Sequence, residues 1–243
     1  MSELSGNLQY GTDTLEVISD ADNFNQWMYQ TIRPYCKGNI LEIGSGIGNI
    51  SQFFVKDGAE ITLSDFDSSY FPRLKQKLGE KQNLKGIHQI DFSVKNPEER
   101  YPDLVGKFDT VFALNVVEHI EDHQQALINA NTFLRSGGNV VILVPAFQFL
   151  FNGFDEQLGH YRRYTEKTLK NLIKSADFGV THSWYFNFIG TLGWFVSGNI
   201  LRKKIIPGGQ MKLYDNLVPV WRIVDIITRS FAGLSVICVG HKK

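Results

Sequence analysis

Short apolar runs rich in β-formers alternate along residues 39–145 with segments whose apolar residues recur at helical spacing. The runs NILEI (39–43), EITLSD (60–65), GIHQI (86–90), FDTVFAL (108–114) and NVVILVP (139–145) read as strands. Helices are predicted over 48–57, 68–79 and 121–135, the last closed by Ser136-Gly137-Gly138 as a C-terminal stop. This alternation is the pattern of a parallel sheet with crossover helices. Beyond residue 145 the rhythm changes. A loop leads into a helix capped by Thr165, and two further strands, 180–186 and 234–241, stand some 47 residues apart, too far for a plain loop. The intervening 187–233 therefore reads as a helical insertion over the acceptor side of a single domain spanning 1–243. Residues 1–37 read as an N-terminal helical cap, in which Asp22 to Tyr35 presents Phe24, Trp27, Met28 and Ile32 on one face.

Composition narrows the class. Lys+Arg and Asp+Glu each number 25, so no basic excess points to nucleic acid, and a small-molecule or peptide partner is expected instead. Two cysteines, Cys36 and Cys238, have no metal-like spacing and fit a reducing cytoplasmic setting. The N-terminal stretch lacks the basic and apolar regions of an export signal. Ser183 to Leu201 carries no charge over 19 positions and meets a crude length test for a membrane span. Its first residues finish a strand, however, and the dozen or so left are too short to cross a bilayer of roughly 30 Å. A buried cap over the acceptor pocket is the leading expectation, with peripheral membrane contact through its aromatics and Arg202-Lys203-Lys204 as the second and an oligomer contact as the third. A monomer or homodimer is expected.

The loop after the first strand, LEIGSGIGN (41–49), is where a doubly wound sheet places its ligand. Gly44, Gly46 and Gly48 let the backbone turn sharply and approach that ligand. Their G-x-G-x-G spacing differs from the G-x-G-x-x-G of dinucleotide loops, and no Lys-Ser/Thr follows as in a phosphate-cradling loop. Asp65, at the end of the second strand, can accept hydrogen bonds from both hydroxyls of a ribose, with Phe66 against an adenine face. Asp91 and Phe92 end the third strand in the corresponding place, suited to the exocyclic amine and the ring.

Taken together, LEIGSGIGN, LSDFD, QIDF and FALNVVEHI resemble, in order and spacing, the motif series of class I S-adenosylmethionine-dependent methyltransferases over roughly residues 20 to 180. The resemblance implies an α/β fold with a doubly wound, mostly parallel seven-stranded sheet in the order 3-2-1-4-5-7-6, strand 7 antiparallel and helices on both faces. It implies S-adenosylmethionine as cofactor, bordered by Gly44, Ser45, Gly46 and Gly48, with Glu42 acting through a neighbouring backbone or water and Asp65 on the ribose. Asn115, which opens the run Asn115 to Ile120, would face the cofactor at the mouth of the acceptor pocket.

Methyl transfer from a sulfonium is an in-line displacement that mainly needs the nucleophile held in place. His119 is a candidate base or acceptor contact, and a helix-end histidine bonded to backbone is its structural alternative. Glu118, His119 and His123 together could bind a divalent metal, as a similar Glu-His pair does in some quinone-pathway methyltransferases. With Asn115 where a further carboxylate would help, no resident metal is expected. The segment FDEQLGHYRRYT (154–165) resembles the segment after strand 5 of a bacterial methyltransferase subgroup often found beside glycosyltransferases or biosynthetic clusters. It offers His160 and Arg162 as catalytic candidates and Tyr161, Arg163 and Tyr164, with Tyr10 from the N-terminal segment, as substrate contacts. One arginine is expected to grip an anionic acceptor and the other to pair with Asp155 or Glu156. The expected activity is methyl transfer to a carboxylate or hydroxyl oxygen, or a nitrogen, of a small or peptide-sized anionic acceptor. A nicotinamide-dependent oxidoreductase and a non-catalytic cofactor-binding subunit are the alternatives.

Overall fold

The computed structural model describes residues 14–203 and 208–243, so Tyr10 and Lys204 lie outside the described residues. Seven strands form one sheet: β1 Ile40–Ile43, β2 Ile61–Asp65, β3 Leu84–Gln89, β4 Phe108–Leu114, β5 Leu134–Pro145, β6 Phe178–Phe186 and β7 Ser235–Lys242. Their order is β3-β2-β1-β4-β5-β7-β6. The first five pair in parallel, and β7 runs antiparallel to both β5 and β6.

The apolar runs become central strands because both faces of the sheet are covered. Successive residues of a strand point to opposite faces, and the two cores follow that alternation. Val111 and Ala113 of β4 join Val140, Ile142, Val144 and Phe133 on one side. Phe112 joins Val141, Leu143, Phe54 and Trp27 on the other.

One expected stop is corrected. The helix His123–Phe133 ends before Ser136-Gly137-Gly138, and β5 already begins at Leu134. The glycines form an irregularity within β5, where the register with β4 shifts between Phe108↔Leu134 and Thr110↔Asn139. A Cβ on Gly138 would lie 3.1 Å from the carbonyl oxygens of both Arg135 and Asp109, so close backbone approach accounts for that glycine.

Between β6 and β7 lie the helices Phe188–Trp194, Gly208–Asn216 and Val218–Thr228, with a π-helical continuation over Phe195–Ile200. No helix among the described residues is long and apolar enough to cross a membrane. The insertion is packed on one side only. Trp194 covers the Arg163 guanidinium at 4.7 Å and packs on Phe154, and Asn152 Nδ2 donates to Asn199 Oδ1, so the insertion lies against the segment after β5. Its other side exposes Ile200, Leu213, Ile223, Ile227 and Phe231.

Two buried acids cap helix starts, and one of them ties the insertion to the N-terminal helix. The helix Asp22–Ile32 has Ala21 at its N-cap, which offers no side-chain acceptor. Asp215 supplies it from 191 residues away: Oδ1 accepts from the Phe24 N–H at 2.7 Å, and Oδ2 accepts from the Asn23 N–H at 3.3 Å and side-chain amide at 3.1 Å. Asp225 similarly accepts from the Phe188 N–H at 2.9 Å, the first residue of its helix. Orphan N–H groups at helix starts need such acceptors. Asp215→Ala is therefore expected to cost about 1–2 kcal/mol in urea unfolding, the value of a lost N-terminal cap. An unchanged midpoint would show that this cap does not hold the N-terminal helix to the insertion.

Candidate functional site

The carboxyl ends of β1, β2, β4 and β5 converge on one edge, and the chemistry-bearing side chains gather there. Gly44, Gly46 and Gly48 have φ of 74°, 49° and 79°, the left-handed region that glycine alone enters freely. The turn is also close-packed: a Cβ on Gly44 would sit 2.3 Å from Val116 Cγ2 in the β4 loop. Residues 14–19 are helical and lie over this turn, with the Leu15 carbonyl accepting from Asn49 Nδ2 at 3.1 Å and the Leu15 side chain beside Gly46.

Asp65 braces the turn. Its Oδ2 accepts from the Gly46 N–H at 2.8 Å and its Oδ1 from the Asp67 N–H at 2.9 Å. The Phe66 backbone is a further donor, and with about four lone-pair sites on the carboxylate one remains for a ligand hydroxyl. Burial raises the Asp65 carboxyl above its usual range, opposed by the N–H donors. Glu42 lies beneath the turn, 4% exposed, and accepts from the Ser51 hydroxyl. Burial pushes its carboxyl up to about 7 against the pull of the hydroxyls of Ser51 and Ser45. Ser45 is itself buried, with its hydroxyl oxygen accepting from the Ser64 N–H at 3.2 Å. Glu42 and Ser45 thus shape the turn from below.

Phe66 stands exposed at the end of β2, free to offer a ring face. Asp91 keeps one oxygen busy with the N–H and hydroxyl of Ser93. Phe92, expected against the ligand ring, is corrected: it is 4% exposed within the core, so its ring packs against other side chains. Asn115 caps the end of β4 with φ 54° and is exposed.

The acceptor-side candidates divide. Asp155 is fully buried and is the centre of one group: its Oδ1 meets His160 Nδ1 at 2.8 Å and Arg163 Nε at 2.8 Å. Burial alone would raise its pKa, and the His160 hydrogen bond with the Arg163 charge overcomes this and holds it below the usual carboxylate range. Arg163, expected to touch substrate, is corrected to an interior ion-pair partner, 6% exposed, that also donates to the Ala146 carbonyl. Tyr164 is likewise corrected: it is buried and its hydroxyl lies 2.8 Å from His123 Nδ1, and His123 is not among the side chains that gather with Glu118 and His119. Arg162 donates from Nη1 to the Ile120 carbonyl and from Nη2 to that of Glu121, joining the segment after β5 to the β4 loop. Tyr161 is exposed beneath it.

His119 and His160 meet edge to face at 4.6 Å between ring centroids. Part of His119 meets solvent, yet desolvation of its ring, and then the facing His160, depress its pKa well below the usual histidine range. Beside them Glu118 is fully buried, and neither carboxyl oxygen has a hydrogen-bond partner. Burial raises this carboxyl to about 8. The sequence marks Glu118 as a polar residue after a strand; nothing in it reveals an unpaired carboxyl sealed from water. Leu15 over the glycine turn and the centring of the acceptor group on Asp155 also emerge only from the fold.

Residues 41–140 match the family model described as a methyltransferase domain. A malonyl-[acyl-carrier protein] O-methyltransferase of Haemophilus ducreyi is 34% identical over 116 residues, covering 47% of this chain and 40% of that protein. A ubiquinone biosynthesis O-methyltransferase of Xanthomonas euvesicatoria pv. vesicatoria is 27% identical over 103 residues, 42% of this chain and 41% of that protein. The match thus spans about two fifths of the length of these two relatives. Among solved structures, an S-adenosylmethionine-dependent methyltransferase of Thermotoga maritima, described as a possible histamine N-methyltransferase, superposes with a TM-score of 0.64 at 15% identity over 94% of both chains. Phosphoethanolamine N-methyltransferase 2 of Haemonchus contortus, in complex with phosphomonomethylethanolamine and S-adenosylhomocysteine, gives 0.59 at 16% identity over 90% of this chain and 52% of that one. At such identities the superpositions speak to the fold, and the matched segment runs from β1 through most of β5. The seven-stranded sheet with its glycine turn is the fold of class I S-adenosylmethionine-dependent methyltransferases, and with the match of residues 41–140 to a methyltransferase domain it supports S-adenosylmethionine as the cofactor.

Proposed function

We propose that the protein transfers the methyl group of S-adenosylmethionine to a carboxylate or hydroxyl oxygen, or a nitrogen, of a small or peptide-sized anionic acceptor. The observation that carries this reading is the Asp65 carboxylate, fixed at the end of β2 beside the glycine turn by the Gly46 and Asp67 N–H groups with acceptor capacity remaining. That arrangement suits a ribose hydroxyl. In this reading Gly44, Gly46 and Gly48 line the methionine part with no side chain in the way, Glu42 and Ser45 hold their turn, Phe66 and Asp91 flank adenine, and Asn115 closes the cofactor edge. Phe92 supports this edge from the core.

When bound, the cofactor would supply an activated methyl on a sulfonium for transfer to the acceptor oxygen. The protein's part is to position the acceptor and keep water out. Arg162 retains N–H donors beyond the two given to the Ile120 and Glu121 carbonyls, enough to hold an anionic group beside Tyr161. His119 and His160 face the same space. A carboxylate acceptor needs no base; a hydroxyl acceptor would pass its proton to a neutral imidazole. The O-methyltransferase relatives favour oxygen as the nucleophile.

The test is mass spectrometry of candidate carboxylate and hydroxyl acceptors incubated with S-adenosylmethionine and the protein. The expected product is heavier by one methylene group. Arg162→Ala should raise the acceptor KM by roughly tenfold or more, as loss of a charge-assisted contact would, and leave S-adenosylhomocysteine affinity unchanged. Cofactor binding without transfer to any such acceptor would favour a non-catalytic subunit.

The insertion supports a second element of this reading, contact with an anionic membrane surface. Arg202, Lys212, Arg222 and Arg229 are exposed among its apolar side chains, while its acids, Asp215 and Asp225, are buried. Apolar side chains ringed by cations suit a bilayer interface with anionic head groups. The protein should co-sediment with phosphatidylglycerol vesicles at low salt, and Ile223→Asp combined with Ile227→Asp should abolish this. Equal recovery from the supernatant with and without vesicles would end the membrane reading.

A further inference from the structure

At the outer edge of the sheet, beside β6, lies a cavity of about 160 Å³ that shares no residue with the glycine turn or the acceptor segment. It is smaller than the roughly 300 Å³ of a cleft for a drug-sized molecule, so its occupant is a small group. Trp27 and Phe186, both buried with ring centroids 4.4 Å apart, and the half-buried Trp184 wall its interior. The helix Asp22–Ile32 adds Gln30 and Thr31. The helix Val218–Thr228 and the residue after it add Arg222, Asp225, Ile226 and Arg229.

Polar groups meet here with capacity to spare. Arg222 and Arg229 are exposed, and neither side chain forms an ion pair or hydrogen bond with any described residue. They stand seven residues apart, about 10 Å along the helix axis and within roughly 20° of the same face, so both guanidinium groups flank one opening. Asp225 also lines the cavity, but its carboxylate accepts from the Phe188 N–H at 2.9 Å and from the Asn187 backbone, which directs it to a helix start. The Thr31 hydroxyl donates to the Trp27 carbonyl at 2.8 Å, so its oxygen is left to accept from a ligand.

We propose that this cavity binds the phosphate ester of a small alcohol, with the phosphate between Arg222 and Arg229 at the mouth and the alcohol portion inside against Trp27, Trp184 and Thr31. Guanidinium forks match phosphate oxygens in pairs. A carboxylate presents two oxygens in one plane, enough for one fork, whereas a tetrahedral phosphate presents oxygens to both arginines. Asp225 on the interior wall keeps the anionic end outward. Two sources share this chemistry, a phospholipid head group and a free phosphate ester. Ile226 on the rim continues into the exposed Ile223 and Ile227, where the chains of a lipid would lie. The lipid source rests on the membrane reading above; the phosphate chemistry does not.

Isothermal titration at low salt, with neither vesicles nor cofactor present, tests the site with two probes. One is glycerol 3-phosphate, and the other is dihexanoylphosphatidylglycerol below its micelle concentration. One equivalent of glycerol 3-phosphate should bind with sub-millimolar affinity, and Arg222→Ala and Arg229→Ala should each weaken it about tenfold. Lys212→Ala removes a cation of the same insertion that does not line the cavity, and should leave the affinity unchanged. Both arginines are exposed, so circular dichroism of their variants should match the parent protein. Lipid binding tenfold or more tighter than glycerol 3-phosphate, and lost in Ile226→Asp, assigns a head group; equal or weaker lipid binding assigns a free phosphate ester. Absence of saturable heat with both probes, or affinity that ignores both arginines or falls as far in Lys212→Ala, overturns the proposal. Its failure leaves the vesicle and methyl-transfer readings standing, and failure of vesicle binding with glycerol 3-phosphate still bound removes the lipid source alone.

Discussion

A peptide N–H of Gly46 donating to the Asp65 carboxylate joins the first βα turn to the end of the neighbouring strand. The turn needs positive φ at Gly44, Gly46 and Gly48 to bring that N–H to the carboxylate. The carboxylate in turn needs the parallel pairing of β1 with β2 to arrive at that height. Glu42 and Ser51 fix the turn from below, Val116 from the side and Leu15 from above. A side chain on Gly44 would collide with Val116, so the glycine turn and the β4 loop share one close contact.

The acceptor half is organised by a different buried acid. Asp155 holds His160 and Arg163 at once, and Arg163 then reaches the Ala146 carbonyl and lies under Trp194 of the insertion. The insertion is therefore coupled to the site through an ion pair that never meets solvent. Buried pairs of this kind contribute little net stability but specify one arrangement. That arrangement aims His160 at His119 and Glu118. Phe66 and Tyr161, by contrast, stay exposed.

The sheet is legible in the sequence because both of its faces are covered: continuous apolar runs such as residues 39–43 and 139–145 have few other uses. The glycine turn and Asp65 are legible because chemistry restricts which residues can stand there. Legibility fails where a local signal has two physical causes. Gly137-Gly138 reads equally as a helix stop or a strand irregularity, and only pairing with β4 decides. Adjacent Arg162 and Arg163 have identical chemistry, and which one turns inward depends on Asp155 lying beneath the segment. Phe92 and Tyr164 stand in segments that the sequence offers to a ligand, but both pack in the core. Asp215 and Asp225 are ordinary acids in a helical pattern until the fold brings helix starts to them.

The central claim is that the glycine turn and Asp65 hold an adenosine-containing methyl donor. Isothermal titration of S-adenosylhomocysteine, with NAD as control, tests it on the parent protein and on Asp65→Ala. The account predicts one site for S-adenosylhomocysteine, no heat with NAD, and at least about a hundredfold weaker binding after Asp65→Ala, a loss of roughly 2.7 kcal/mol. Binding of NAD in place of S-adenosylhomocysteine, or an affinity indifferent to Asp65, would contradict it.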